Sequence, residues 1–122
     1  MTEYKKNNRR TGSAYEQKAA AYLESLGYQV LEKNFYCRAG EIDLIAAEGG
    51  FLVFIEVKYR NNLACGTPQE AVDHRKQRRI CRAAAFYCLK HGIGETFPCR
   101  FDVAAFTGGS WTIIRNAFDY LP

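Results

Sequence analysis

The chain has 122 residues, 48% of them hydrophobic, and a formal net charge of +4. That length suits one domain, the apolar content supports a packed core and excludes global disorder, and the mildly basic balance permits a polyanionic partner without requiring one. No run approaches the ~20 apolar residues of a membrane-spanning helix, and the start MTEYKKNNRR has no apolar segment behind its charges, so neither a membrane protein nor a secretory signal is indicated.

In chain order, residues 1–12 read as a flexible basic arm with Lys5, Lys6, Arg9 and Arg10, and residues 13–122 as one domain. Ser13 followed by Glu16 forms a capping box that predicts a helix start. Tyr15, Ala19, Tyr22, Leu23 and Leu26 then mark one helical face, and Gly27 ends it. Tyr28 to Phe35 reads as a strand and CRAG (37–40) as a loop. Glu41 to Ala47 and Phe51 to Tyr59 read as a hairpin around Glu48-Gly49-Gly50. Thr67, Pro68 and Glu70 predict a short helix to about Val72. Asp73 then caps a longer helix ending near Gly92, with Ile80, Ala83, Ala84, Tyr87 and Cys88 on its buried face. Strands follow at Arg100 to Phe106 and Trp111 to Arg115, either side of Gly108-Gly109. Helices mixed with hairpins predict an α/β fold, a mixed sheet covered by helices. The five cysteines are odd in number and form no CxxC pair. They indicate neither a zinc site nor a complete disulfide framework, and read as reduced thiols of a cytoplasmic protein.

The hairpin carries the chemistry. Alternation puts Glu41 and Asp43 on one face of its first strand, and Glu56 and Lys58 on one face of its second. Closing the turn symmetrically about Gly49-Gly50 sets Asp43 opposite Glu56 and Glu41 opposite Lys58. Like charges facing across a sheet repel, and burial makes the repulsion worse. A hard cation between Asp43 and Glu56 relieves it, and Mg²⁺ or Mn²⁺ fits an all-oxygen ligand set. A divalent cation beside a lysine supplies the parts for phosphodiester hydrolysis. Salt bridges satisfying a sheet edge are the plain alternative for any one of these residues.

The spacing D-x12-E-x-K of Asp43, Glu56 and Lys58 resembles the PD-(D/E)xK nuclease signature, with Ile42 in the place of its proline. The wider series YEQKAAAYLESLGYQVLEKNF, GEIDLIA, VFIEVKYR, PQEAV, KQRRICRAAAFYCLKHG and CRFDVAAF resembles the YraN family, small bacterial proteins related to archaeal Holliday junction resolvases. The resemblance runs from Ala14 to Phe118. It implies a restriction-endonuclease-like α-β-β-β-α-β core, here with an extra C-terminal strand, and a Mg²⁺- or Mn²⁺-dependent, resolvase-like endonuclease acting on DNA, with branched DNA a candidate substrate and a homodimer a candidate assembly. Asp43 and Glu56, with the carbonyl of Val57, would be the metal ligands and Lys58 the catalytic lysine. Glu16 either completes its capping box or, as in related resolvases, reaches the metal site. Glu41 either pairs with Lys58 or contacts the metal's water shell. Gln77 either supports the site, as a glutamine on this helix does in related nucleases, or is solvated. Arg75, Lys76, Arg78, Arg79 and Arg82 crowd the start of the long helix, where cations oppose the helix dipole, so phosphate contacts are a candidate purpose. No base-reading motif is visible, which points to structure-dependent rather than sequence-specific binding. The rival reading is a nucleic-acid-binding accessory of DNA repair, recombination or uptake that does not cut.

Overall fold

The computed structural model describes residues 3–60 and 72–121, the side chains of residues 3–13 and 60 excepted. Its elements run α1 (Glu3–Ser25), β1 (Gln29–Cys37), β2 (Gly40–Glu48), β3 (Phe51–Arg60), α2 (His74–Lys90), β4 (Cys99–Thr107) and β5 (Ser110–Phe118). The five strands form one mixed sheet in sequence order. β3 is its centre, antiparallel to β2 and parallel to β4. Two of the three tight hairpins turn on Gly-Gly pairs at positive φ, 59° and 83° at Gly49-Gly50 and 60° and 85° at Gly108-Gly109, the geometry of a two-residue turn that follows the strand twist; the β1–β2 hairpin turns on Arg38-Ala39.

Each face of the sheet carries one helix and one core. Ala19, Ala20 and Leu23 of α1 pack on Leu44, Ala46, Val53, Ile55 and Ala104. Ile80, Cys81, Ala83, Ala84 and Tyr87 of α2 pack on Ile45, Leu52, Phe54, Phe101 and Val103. β3 therefore alternates between two cores, which is why both of its faces are apolar. The α/β architecture and the element order expected from the sequence are both present.

Three expectations need correction or limits. Helical backbone begins at Glu3, inside the segment read as a basic arm, so Ser13 is not an N-cap and Glu16 lies well within α1 rather than in a capping box. The capping signal is real chemistry in the wrong place: Lys5, Lys6, Arg9 and Arg10 before it are good helix formers, and the helix runs through Asn7, Asn8, Thr11 and Gly12, which are not. The short helix expected from Thr67 lies outside the described residues. Asp73 does cap α2, its side chain accepting from the Lys76 backbone N–H at 2.9 Å. Among the described residues no helix is long and apolar enough to cross a membrane.

Candidate functional site

The hairpin register is the symmetric one from Glu48↔Phe51 to Leu44↔Ile55, but the ladder stops there. Asp43 and Glu56 are not paired, nor are Glu41 and Lys58. Asp43 instead turns its carboxylate into the gap and accepts the Val57 backbone N–H at 2.8 Å. On the other side, β1 pairs Lys33 with Leu44 and Phe35 with Ile42, skipping Asn34, whose φ is 57°. Asparagine is among the few residues that tolerate this left-handed conformation. Ile42 and Leu44, two residues apart, lie in the cores of opposite faces. Strand alternation is thus broken at Asp43, and β2 and β3 fork there.

The fork opens into a cavity of about 440 Å³. Tyr15 and Glu16 of α1, Asp43 of β2, Glu56 to Tyr59 of β3 and Lys76 of α2 line it. The carboxylates of Glu16, Glu41 and Asp43 lie within 4.8 Å of one another, although Glu41 is exposed and outside the lining. Glu16 is 6% exposed, and its buried Oε1 has no hydrogen-bond partner. Asp43 has its pKa raised to about 9, first by burial and then by the nearby charge of Glu56, with the Val57 N–H pulling the other way. Burial also raises Glu16, partly offset by a hydrogen bond with Asp43 and reinforced by the charge of Glu41. These are crowded carboxyl groups held partly protonated for want of a counter-charge. An all-oxygen cluster with an unpartnered buried oxygen fits a hard divalent cation.

Glu56, 5% exposed, is treated differently. Its Oε2 takes Lys58 Nζ at 3.3 Å and Lys76 Nζ at 2.5 Å. The expected Glu41–Lys58 pair is therefore replaced by Glu56–Lys58, because Lys58 follows the β3 face beyond the end of the β2–β3 ladder. Lys58 has its pKa lowered, first by burial and then by the adjacent Lys76, against the pull of Glu56. Burial lowers Lys76 as well, but the charge of Glu56 outweighs it and the net shift is upward.

The structure thus brings Glu16, Glu41, Asp43, Glu56 and Lys58 to one place, with Val57 contributing the N–H that holds Asp43. Gln77 stands apart: its side-chain Nε2 donates to the Val72 carbonyl at 2.8 Å, and it does not line the cavity. Arg75, Arg78, Arg79 and Arg82 are exposed on α2, whereas Lys76, grouped with them by sequence, turns into the cavity. Three site features escaped sequence reasoning. Lys76 was visible only as one of five cations. Asn34 gave no signal beyond being an asparagine in a strand. Tyr15 and Tyr59, whose rings lie 4.1 Å apart, looked like core residues.

The model of Uncharacterised protein family UPF0102 matches residues 15–106 of the chain. A UPF0102 protein of Lachnoclostridium phytofermentans is 48% identical over 113 residues, covering 93% of this chain and 96% of the relative. UPF0102 protein STH1475 of Symbiobacterium thermophilum is 47% identical over 116 residues, 91% of this chain and 98% of its own. A UPF0102 protein of Moorella thermoacetica is 50% identical over 97 residues, 80% of each chain. None of these three names states an activity.

Proposed function

The chain belongs to the uncharacterised protein family UPF0102, the YraN family its motifs resemble, and from that premise we propose that it is a metal-dependent endonuclease hydrolysing DNA phosphodiester bonds, resolvase-like and selective for DNA structure rather than sequence. One observation carries the reading. The fork between β2 and β3 gathers Glu16, Glu41 and Asp43 within 4.8 Å beside a lysine whose pKa is lowered. A scaffold gains nothing from such a cluster, since burying mutually repelling carboxylates costs stability.

Glu16, Asp43 and Glu41 are the residues to hold Mg²⁺ or Mn²⁺, with Glu56 of the same cavity beside them. Such a cation, when bound, polarises the phosphate and activates a water. Asp43, fixed by the Val57 N–H, keeps its ligand oxygen aimed into the cavity. Lys58, partly buried and with its pKa lowered by burial and by Lys76, is placed to take a proton from the attacking water or to offset charge on the phosphate. The exposed arginines 75, 78, 79 and 82 lie on α2, the helix that gives Lys76 to the cavity, and would supply backbone phosphate contacts that carry no sequence information. Four free cysteines among the described residues fit a cytoplasmic setting.

The test is cleavage of single-stranded, duplex, flap and four-way DNA by the purified protein with Mg²⁺ or Mn²⁺, with Asp43→Ala as control. Metal-dependent cutting that the variant lacks is expected. Cutting undiminished in Asp43→Ala refutes the assignment, and salt-sensitive DNA binding with no turnover of any substrate supports the accessory reading instead.

A further inference from the structure

Charge is unevenly compensated around the fork. Two lysines converge on one oxygen of Glu56, whereas among the described residues no lysine or arginine is recorded within ion-pair distance of Glu16, Glu41 or Asp43. Lys76 comes from the first turn of α2, the element that presents the exposed arginines. Its side chain is 34% exposed, so the inward contact leaves it a path to solvent. One carboxylate oxygen cannot fully serve two ammonium groups and a divalent cation at once. Both lysines have the same flexible four-carbon stem, but Lys76 is the more exposed, 34% against 22% for Lys58, and it stands on the helix that carries the arginines.

We infer that Lys76 is a latch: it neutralises Glu56 in the free protein and exchanges Glu56 for a DNA phosphate when a divalent cation binds beside it. This rests on the nuclease reading above and adds its regulation. Metal loading expels Lys76 by competition and like-charge repulsion. The freed ammonium then joins the arginines of α2, where a phosphate arrives in any case. By linkage, metal tightens DNA binding and DNA tightens metal binding by the same factor. The device keeps Glu56 neutralised until the cation arrives to take over from Lys76.

The experiment is Mn²⁺ titration by calorimetry without DNA, on the wild-type protein, Lys76→Met and Lys76→Gln, with Arg75→Met as a control that removes an exposed charge nearby. Lys76→Met and Lys76→Gln should bind Mn²⁺ about tenfold more tightly, within the usual range for coupled sites, and Arg75→Met should not. Fluorescence anisotropy with four-way DNA then reads the second half of the exchange. With Ca²⁺ in place of EDTA the wild type should gain about one phosphate contact, steepening the slope of log K against log salt by about 0.9. Lys76→Met should show no such gain. Unchanged or weaker Mn²⁺ binding in both Lys76 variants overturns the latch, as does a slope change that survives in Lys76→Met. The two levels fail separately: a wild type that binds no Mn²⁺ removes the functional reading along with the latch, whereas Mn²⁺ binding that is abolished by Asp43→Ala yet indifferent to Lys76 removes the latch alone.

Discussion

Asp43 and Asp102 lie on either side of β3, each beside an asparagine at positive φ in a neighbouring strand, and their surroundings are opposite. Asp102 is fully buried and saturated with donors. Arg100 reaches it at 2.9 and 3.0 Å, the Tyr28 hydroxyl at 2.7 Å and the Asn116 backbone N–H at 2.9 Å. Arg100 also holds Glu48, and Arg115 donates to the Tyr28 hydroxyl, so no charge in that network lacks a counterpart. Asp43 has one backbone donor and three carboxylates for neighbours. Burial alone therefore says little about a carboxylate's purpose. The supply of donors says more: a saturated carboxylate orders the fold, and an undersupplied one waits for a ligand.

The largest effects should separate the two cleanly. Asp43→Ala should lower metal-dependent cleavage by about a thousandfold or more, the scale of several kcal/mol of charge stabilisation, while melting at the wild-type temperature or above it. Asp102→Ala should do the reverse. Removing it strands Arg100 and the Tyr28 hydroxyl and should cost about 3–5 kcal/mol of stability, read as a lowered midpoint in denaturant. Its residual activity per folded molecule should be near normal. Equal loss of stability in both variants would erase the distinction.

The hairpin turns, the α2 cap and the double-faced strand β3 were legible in the sequence because each rests on local chemistry: paired glycines, an aspartate before a helix, unbroken apolar alternation. Asp102 with Arg100 could likewise be guessed from two residues on one strand face. The fork could not. It depends on Asn34 breaking the β1 pairing and on a ladder that ends one pair short of Asp43, both of which are non-local. The like-charge argument rested on a pairing that does not exist, since carboxylates that repel do not stay in register, although the same side chains do gather at the fork. Glu16 was open to two readings, a capping box that the longer helix removes and a reach to the metal site, and Lys76 was masked by its basic neighbours.

A smaller effect follows from the raised pKa of Asp43. A carboxyl whose folded pKa lies above its unfolded value of roughly 3.9 contributes stability that is complete at low pH and is lost as pH rises through about 9. The metal-free protein should therefore lose stability from this group between about pH 4 and pH 9, and Asp43→Asn should flatten that part of the profile. Saturating Mn²⁺ should also flatten it, because the cation favours the ionised form. Over the same range Mn²⁺ affinity should rise with pH by up to tenfold per unit, one proton leaving for each ion bound. A thermal-melt series at several pH values with chelator or Mn²⁺ reads both slopes, and a metal-free Tm that climbs toward pH 9 on account of Asp43 contradicts the assignment.

The smallest effect is the most discriminating, because it turns on sign. An amide in place of a carboxylate keeps the shape and removes the charge. At Asp102 the amide gives up an acceptor to Arg100 or to the Asn116 N–H, so Asp102→Asn should destabilise by about 1–3 kcal/mol. At Glu16 the same exchange removes a charge that burial and Glu41 already penalise, relieves the unpartnered Oε1 and leaves an acceptor in the side chain. Glu16→Gln should therefore stabilise the metal-free protein by up to about 1 kcal/mol while weakening Mn²⁺ binding. If Glu16→Gln instead destabilises as Asp102→Asn does, and Mn²⁺ affinity does not move, Glu16 belongs to the frame of the fold and the cation site shrinks to the residues of the hairpin.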